Sequence, residues 1–273
     1  MLNFNKLKIK EEDFHDHWAD NVNADDIDIR KINEACTSPE IKYIRKIIGN
    51  VKGKKLLDVG SGLGEASIYF AMEGAKVTAT DISGRMLKVT KYLAKINNVI
   101  ITTHKCDAEG LRFKKNIKFD IIYAGNLLHH VNINATLQQI IKVMDKNSIF
   151  VSWDPIAYNP IINIYRRIAK KVRTQDEHPL KINDFKTINR HFKVVHYEYF
   201  WFLTLLIFIL MVVLERVNPN RERLWKKIVK EADKWEWLYK PLEKLDQLLF
   251  VIFPFIKYLC WNVVVVAKKS KAR

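Results

Sequence analysis

The feature that most constrains the fold is a glycine-rich segment that directly follows an apolar run. Residues 55–59 read Lys-Leu-Leu-Asp-Val, which is typical of a strand buried on both faces in a parallel sheet. Gly60, Gly62 and Gly64 then stand at alternating positions. They let the chain turn tightly into a helix over 65–73 and expose backbone N–H groups to a ligand. A second strand, predicted over 76–80, is followed by Asp81, where α/β nucleotide folds place a carboxylate against ribose hydroxyls.

The glycine spacing distinguishes between two classes of nucleotide cofactor. A dinucleotide fingerprint requires G-x-G-x-x-G, but the sixth position counted from Gly60 is Glu65. The order found is Asp-x-Gly-x-Gly-x-Gly, beginning at Asp58 inside the strand. This order resembles the S-adenosylmethionine (SAM) signature of class I methyltransferases, in particular the small-molecule subgroup around the ubiquinone and menaquinone methyltransferases. The alternative is a tight turn without a ligand, for which one glycine would suffice.

The resemblance implies both a fold and a cofactor site. The fold would be α/β, a doubly wound, Rossmann-like sheet of seven strands that closes with a C-terminal antiparallel hairpin. SAM would lie with its methionine part over residues 60–64, its ribose on Asp81 and its adenine amino group on Asp107. The residues expected to bind it are Asp58, Gly60, Ser61, Gly62, Gly64, Asp81, Ile82, Asp107, Ala108 and Asn126.

The segment after the fourth predicted strand bears on the methyl acceptor. Enzymes that methylate amide or adenine nitrogens carry Asn-Pro-Pro-Tyr there, whereas residues 126–130 read Asn-Leu-Leu-His-His. This version resembles the quinone and natural-product branch, in which it borders the acceptor pocket. Histidine can take up a proton near pH 7, so His129 and His130 are the candidate catalytic residues and His178 a weaker third. The alternative is that one histidine packs under a helix and the other caps it. Asp154 stands largely alone in the sequence, so no metal ion is predicted.

Composition limits the partners. The formal net charge is +16 and the pI about 9.6, so nucleic acid, acidic lipid headgroups and phosphorylated substrates all need consideration. The three cysteines (Cys36, Cys106 and Cys260) are far apart, which favours a reducing compartment and disfavours disulfides or a zinc site. The N-terminus lacks the apolar region of a signal peptide, and we therefore expect a cytoplasmic protein.

Four segments are predicted along the chain. Residues 1–35 would form an N-terminal lid, which the resemblance implies is a mobile helix over SAM. Residues 36–202 would be the SAM-binding core, with an amphipathic, basic helix over 161–173. Residues 203–260 would be an apolar and basic, mostly helical insertion between the two closing strands. Residues 261–273 would supply the last strand and a basic tail.

The insertion departs from the resembled family and allows two interpretations. Its uncharged run, residues 199–214, is about sixteen residues long, whereas a membrane span needs roughly twenty. A second apolar run over 248–255 continues to residue 261 and is interrupted by Pro254 and Lys257. Tryptophans among lysines over 221–244 are residues that settle at lipid headgroups. The insertion could be a hairpin resting on the cytoplasmic face of a membrane, or a buried lid over an apolar acceptor. A true span is the least favoured alternative, because the two closing strands must return to the same sheet.

The sequence as a whole predicts a SAM-dependent methyltransferase acting on a small hydrophobic or lipid-like acceptor, with oxygen or carbon as the favoured target. Two alternatives stay open. An RNA methyltransferase would explain the charge, but no RNA-binding motif is visible and no nucleic-acid partner is expected. The second alternative is a non-catalytic, membrane-bound protein of the same fold, which would lack an acceptor pocket. The intact glycine and acidic positions disfavour it.

Overall fold

The computed structural model describes residues 2–114, 116–169 and 177–269. Within these residues seven strands form one sheet, in the order β3-β2-β1-β4-β5-β7-β6. The strands are β1 (Lys55–Val59), β2 (Lys76–Asp81), β3 (Thr102–Lys105), β4 (Phe119–Gly125), β5 (Met144–Pro155), β6 (Phe192–Phe200) and β7 (Asn262–Lys269). The α-helices are α1 (Leu2–Asp20), α2 (Ile29–Glu34), α3 (Pro39–Ile48), α4 (Glu65–Met72), α5 (Gly84–Ile96), α6 (Ile133–Val143), α7 (Pro160–Ile168), α8 (Ile182–His191), α9 (Leu206–Val213), α10 (Leu224–Lys230) and α11 (Ala232–Ile252).

The topology confirms the predicted doubly wound fold. Strands β1 to β5 pair in parallel, whereas β7 runs antiparallel between β5 and β6. Strand order reverses between β1 and β4, which is where open α/β sheets bind ligands outside the carboxyl ends of their strands. The glycine turn after β1 lies at that point.

The core sits on both faces of the sheet because neighbouring strand residues point to opposite sides. Leu56 and Val264 belong to one buried cluster, and Leu57 and Val263 belong to the other. All four of these side chains are almost completely buried, although neighbours in the chain face opposite sides of the sheet. Burial on both faces explains the unbroken apolar runs in the sequence. The insertion contributes to the first of these clusters through α9, α10 and α11.

Most predicted boundaries lie within a few residues of the observed ones. Helix α4 ends one residue before the predicted end. Ser83 caps α5 by accepting the Met86 N–H. Ser38 precedes α3, but its side chain makes no capping hydrogen bond to that helix. Its hydroxyl donates to the Ile32 carbonyl instead. The predicted helix over 161–173 is α7, which ends at Ile168. The last part of that predicted range lies outside the described residues.

The insertion does not form one long apolar helix. Trp201 has a left-handed backbone (φ +70°), and a short 3₁₀ turn follows before α9, which has eight residues. Asp246 of α11 fixes this bend, because its carboxyl accepts hydrogen bonds from the backbone N–H groups of Leu203 and Thr204. Within the described residues, no helix is both long enough and apolar enough to cross a bilayer.

Candidate active site

The glycine turn after β1 combines an open backbone with close packing. All three predicted glycines have positive φ angles, +71°, +55° and +87° in chain order. A Cβ atom added to Gly62 would have no atom within 4 Å, so the backbone there faces open space. A Cβ atom added to Gly64 would lie 2.3 Å from Thr90 Cγ2. Gly62 therefore leaves room for a ligand, whereas Gly64 allows the start of α4 to pack against α5.

Asp81 ties the end of β2 to the glycine turn. Its carboxyl accepts hydrogen bonds from the backbone N–H groups of Gly62 and Ser83, both at 2.8 Å. Burial raises the pKa of Asp81, and the nearby His15 opposes that shift. The carboxyl also lines the cavity described below, so it can accept further hydrogen bonds from a ligand.

Two buried polar atoms beside the glycine turn lack partners within the described residues. Ser67 donates to one carboxyl oxygen of Asp58 at 2.6 Å, but the other oxygen, Oδ1, has no hydrogen bond. The hydroxyl of Ser61 also has none. Burial raises the pKa of Asp58 to about 7. Buried polar atoms are normally satisfied, so this arrangement fits a polar ligand that completes it.

A cavity of about 800 Å³ lies over the carboxyl ends of the parallel strands. Of the residues predicted to bind SAM, all but Gly64 line it, and the three candidate histidines line it as well. Its wall also includes residues from α1, from α3 and from α10 of the insertion. The structure thus brings together the predicted site residues, whose individual roles stay predictions.

Helix α1 covers the cavity and is held there by polar contacts. Lys8 forms ion pairs with Asp107 and with Glu109, the latter at 2.8 Å. Asp16 accepts a hydrogen bond from the Ser83 hydroxyl at the start of α5. The predicted adenine-binding residue Asp107 is therefore bonded to the covering helix in this structure.

His129 is paired with a buried carboxyl group. It follows β4, and its Nδ1 lies 2.9 Å from Oδ1 of Asp154 near the end of β5. The His129 backbone N–H points at the same oxygen at 3.3 Å, and both side chains are almost completely buried. Burial raises the pKa of Asp154 well above its ordinary value. Asp154, which stands largely alone in the sequence, is therefore brought by chain folding to a residue 25 positions away.

His130 makes a different contact, with the covering helix. Its Nδ1 lies 2.9 Å from Oε1 of Glu11, and Nε2 of His15 lies 3.1 Å from the same oxygen. Burial would raise the pKa of Glu11, but the two histidine hydrogen bonds outweigh it and lower that pKa to about 2. His15 is half-buried and lines the cavity, because α1 turns this face toward the site.

His178 lies next to His129, because its backbone N–H donates to the His129 carbonyl at 2.9 Å. Within the described residues, His129, His130 and Glu177 form one group whose potential ligand atoms all lie within 4.8 Å of one another. Two imidazoles and a carboxylate could hold a divalent ion. The absence of a metal was predicted from an isolated Asp154 and stays a prediction.

Sequence reasoning missed Glu40 and Arg223, which also line the cavity. Glu40, in the first turn of α3, is bonded to residues 161 and 222 positions further along the chain. The Arg223 guanidinium, from α10's N-cap position, stacks 3.5 Å above the Trp18 ring of α1. No local sequence signal marks either contact, because each joins segments that are far apart in the chain.

Comparison with known proteins agrees with this geometry. Residues 57–152 match the family model of a methyltransferase domain. The ubiquinone biosynthesis O-methyltransferase of Nitrosomonas europaea is 29% identical over 153 residues, which cover 56% of this chain and 63% of that protein. The enzyme of the same name from Shewanella halifaxensis is 33% identical over 119 residues, 44% of this chain and 50% of that protein. The chain thus spans less than two thirds of the length of either relative.

Solved structures share the fold at low sequence identity. Magnesium protoporphyrin IX methyltransferase from Synechocystis PCC 6803, with bound S-adenosylhomocysteine (SAH), has a TM-score of 0.53 at 14% identity, covering 88% of this chain and 86% of that chain. Phosphoethanolamine N-methyltransferase 2 from Haemonchus contortus, in complex with SAM, has a TM-score of 0.56 at 17% identity, covering 85% of this chain and 52% of that chain. The resemblance to class I methyltransferases predicted from the glycine spacing is confirmed.

Proposed function

We propose that this chain, whose residues 57–152 carry a methyltransferase domain, is a SAM-dependent methyltransferase that acts on a small, hydrophobic, quinone-related acceptor. The observation that carries the proposal is the cavity itself. It joins the glycine turn and Asp81 to His129, whose imidazole pairs with the buried Asp154 behind it. A fold without catalytic activity would not need these two features side by side.

The residues present fit SAM. The open backbone at Gly62 and the unpartnered polar atoms of Asp58 and Ser61 provide space and hydrogen-bonding capacity for a polar ligand. Asp81 would hold the ribose hydroxyls and Asp107 the adenine. When bound, SAM supplies a methyl group on a positively charged sulfur that is already activated for transfer. The protein's own tasks are to align the acceptor and to remove its proton.

His129 is the better placed of the two adjacent histidines for removing that proton. Asp154 Oδ1 already receives a backbone N–H, which makes this oxygen a hydrogen-bond acceptor for the Nδ1–H of His129. That tautomer leaves Nε2 unprotonated, so this nitrogen can take up the proton of the methyl acceptor. His130 instead bonds to Glu11 of α1, which suits a role in holding the covering helix.

The acceptor class follows from the relatives and from the cavity wall. Both relatives named above are ubiquinone biosynthesis O-methyltransferases, which favours transfer to an oxygen. Tyr123, Trp153, Trp201 and Trp261 line the cavity, and such side chains suit a ring-containing, apolar molecule. We therefore favour a hydroxyl group of a quinone-related ring over a carbon or nitrogen acceptor.

A specific observation also supports association with a membrane surface. On α7, Ile161, Ile164 and Ile168 point outward, with Ile164 57% exposed. On α11 and the turn after it, Val251 is 80% and Phe255 70% exposed. These residues, called the apolar face below, lie on neighbouring elements, because Asn159 before α7 donates to the Leu259 carbonyl in that turn. Exposed apolar side chains on a strongly basic protein fit the surface of an anionic bilayer.

Methyl transfer is tested by incubating the full-length protein with radiolabelled SAM and three separate fractions: a total lipid extract, a small-metabolite pool and total RNA. We expect label to enter compounds of the lipid extract. Blocking the hydroxyl groups of that extract before the incubation should prevent this labelling. Label in RNA would support the RNA methyltransferase alternative. No transfer to any fraction, by a protein that binds SAM, would support a non-catalytic role.

A further inference from the structure

The edge of the sheet opposite the cavity is strongly basic. Strands β1 to β6 begin at this edge and β7 ends there, because β7 runs antiparallel between β5 and β6. Among the described residues within two positions of these strand ends, ten are cationic and two are acidic. The acidic ones are Asp120 and Asp145. The ten cations, called the basic edge below, are Lys54, Lys55, Lys76, Lys118, Lys142, Lys146, Arg190, Lys193, Lys268 and Lys269.

The edge at the cavity has the opposite charge. Counted in the same way, it has five carboxyl groups and one lysine, which are Asp58, Asp81, Asp107, Asp154, Glu198 and Lys105. All ten residues of the basic edge are described, and none of them lines the cavity. The excess of eight cations at the basic edge is half of the formal net charge of +16. Much of the charge of this protein is therefore located away from its candidate active site.

The cations of the basic edge are accessible to a partner. Eight of the ten are exposed, and the other two, Lys118 and Lys269, are half-buried and donate to backbone carbonyls. None of the ten forms an ion pair with another described residue. Lys142 and Arg190 lie in the last turns of α6 and α8, where a cation offsets the helix dipole. A sheet has only a small net dipole, so this explanation does not extend to the eight lysines at the strand ends.

These eight lysines form a row along the sheet. Each of the six neighbouring strands in the order β2-β1-β4-β5-β7-β6 has at least one of them. Adjacent strands lie about 4.8 Å apart, so the row is about 24 Å long. One strand of a nucleic acid has a phosphate for every ~3.4 Å of helix axis, which gives about seven phosphates over that length. The row thus matches a phosphate backbone in charge, in length and in the number of charges.

A protein partner suits this edge less well. Lysine is depleted from protein–protein interfaces, whose centres are rich in aromatic and apolar side chains. The two phenylalanines at this edge, Phe119 and Phe192, are both buried. An interface here would therefore have charge but no apolar centre.

A bilayer in contact with the apolar face is too far away to explain these lysines. The apolar face belongs to elements that adjoin the start of β7 at Asn262, whereas Lys269 is at the other end of that strand. At ~3.3 Å per residue, the two ends of β7 are about 23 Å apart. Charges are screened over about 8 Å at physiological salt, so the basic edge and the apolar face act separately.

We infer that the basic edge binds the phosphate backbone of a nucleic acid. No RNA-binding motif is visible in the sequence, and the described positions of this edge have no exposed phenylalanine, tyrosine or tryptophan to stack on bases. The binding is therefore independent of base sequence. It depends strongly on salt, because each lysine that meets a phosphate releases condensed counterions. This inference does not rest on the proposed function, since the basic edge is separate from the cavity.

The test measures the binding of two labelled probes to the full-length protein by fluorescence anisotropy. The probes are a single-stranded RNA of mixed sequence, about 20 nucleotides long, and a DNA duplex of about 20 base pairs. Poly-glutamate of about 20 residues serves as a competitor, because it has similar charge but no phosphate. Each titration is repeated at several salt concentrations from about 50 to 200 mM.

Two triple variants lower the net charge by the same amount. The edge variant replaces three exposed lysines on three strands, and its substitutions are Lys55→Gln, Lys76→Gln and Lys146→Gln. The matched control replaces three exposed lysines of α11, and its substitutions are Lys234→Gln, Lys240→Gln and Lys244→Gln. Helix α11 adjoins the opposite edge, because its Tyr239 packs on Trp201 directly after β6. Thermal unfolding and SAH titration check that each variant is folded.

We expect the unmodified protein to bind both probes with a Kd of roughly 1–100 µM near physiological salt. For the RNA, log K should fall against log salt with a slope of about −3 to −4, which corresponds to about five neutralised phosphates. The edge variant should bind at least roughly tenfold more weakly at low salt, with a slope smaller by about two. The control should stay within about threefold of the unmodified protein, and SAH binding should be unchanged in both variants.

Three results would overturn the inference: no binding of either probe at low salt, equal losses in the two triple variants, or displacement of the RNA by poly-glutamate at equal charge concentration. Vesicle flotation supplies a fourth. If the edge variant loses binding to anionic vesicles but retains binding to RNA, the basic edge is a site for lipid headgroups and not for nucleic acid.

Discussion

At the scale of single residues, the cavity contains carboxyl groups of the same chemistry in opposite electrostatic surroundings. Two histidines lower the pKa of Glu11 to about 2, and the carboxylate helps to hold the covering helix. Burial instead raises the pKa of Asp58 and of Glu40 to about 7. Environments that push pKa values apart allow like groups to take different tasks. Asp154, buried against His129, would orient the imidazole under the proposed function.

The roles of His129 and Asp154 can be separated by kinetics. His129→Ala should lower kcat by about 10²–10⁴ while SAM binding is retained. Asp154→Asn should lower kcat to a similar extent with little change in KM, because an amide N–H facing Nδ1 would favour the tautomer with Nε2 protonated.

His130→Ala is the matched control for this series, because its imidazole bonds to Glu11 rather than to Asp154. We expect it to lose less than about tenfold in kcat. Equal losses in the two histidine variants, or full activity in both, would contradict the assignment of the base to His129.

The raised pKa of Glu40 predicts a pH-dependent stability. The ordinary pKa is 4.5 and the folded-state value about 7, so between these values the folded protein keeps a proton that the unfolded chain loses. The free energy of unfolding should therefore fall as pH rises through this window, by up to ~1.4 kcal/mol per pH unit from this group. Glu40→Gln removes that contribution, so its stability relative to the unmodified protein should increase from pH 5 to pH 7 and then level off.

Urea unfolding at pH 5, 6, 7 and 8 measures this difference. Glu236→Gln, at a carboxyl outside the cavity, serves as the control and should show no such trend. Parallel stability curves for Glu40→Gln and the unmodified protein would show that Glu40 titrates alike in the folded and unfolded states.

What the sequence predicts at this scale depends on distance along the chain. The glycine turn and Asp81 are identified by their spacing alone, because strand, turn and helix follow one another directly. The pairing of Asp154 with His129 spans 25 positions, and the contact of Glu40 with Asn262 spans 222. Neither pairing has a local signal, since each depends on which strands become neighbours.

At the scale of elements, the insertion shows how a hydrophobic run can divide between burial and exposure. Within α9, Ile207, Phe208 and Met211 are buried, whereas the same helix leaves Val213 64% exposed. Helix α7 likewise buries Ile162 and exposes Ile164. Composition predicted apolar helices here, but only packing determines which side of each helix faces the core. The two interpretations of the insertion are therefore compatible: it covers the cavity and also presents an apolar face.

The apolar face predicts binding to anionic vesicles. The unmodified protein should float with vesicles that contain about 30% anionic lipid, and more weakly with neutral ones. Val251→Asp and Phe255→Asp should each reduce binding by roughly tenfold or more, because each removes an exposed apolar side chain from the face and adds a negative charge. The measurement is vesicle flotation.

Ile100→Asp is the matched control for flotation, since Ile100 is 94% exposed and precedes β3, the edge strand at the far end of the sheet from β6. It should bind vesicles as well as the unmodified protein. If the unmodified protein does not float, the membrane proposal is wrong and the insertion acts as a lid alone. If all three Asp variants lose binding equally, the interaction depends on net charge and not on this face.

At the scale of the whole molecule, segments distant in sequence meet over one edge of the sheet. Lys226 of the insertion pairs with Glu65 at the start of α4, and Ile228 accepts a hydrogen bond from Thr37 near α3. Helix α1 closes the adjacent side through Lys8. The sequence predicted the sheet and the cofactor turn, because these follow from periodicity and glycine spacing. It could not predict that α1 and the insertion line one cavity, since their contacts are tertiary.

The central claim, that this cavity binds SAM, is tested most directly by calorimetric titration of the full-length protein with SAH and with NAD. We expect one SAH site, no comparable binding of NAD, and a loss of ~2–3 kcal/mol, roughly 30–150-fold in affinity, in Asp81→Ala. Asp120→Ala is the control, because Asp120 is an exposed carboxyl near the opposite, amino end of β4, where it accepts the Lys55 N–H. Tighter binding of NAD than of SAH, or an unchanged SAH affinity in a folded Asp81→Ala variant, would contradict the account.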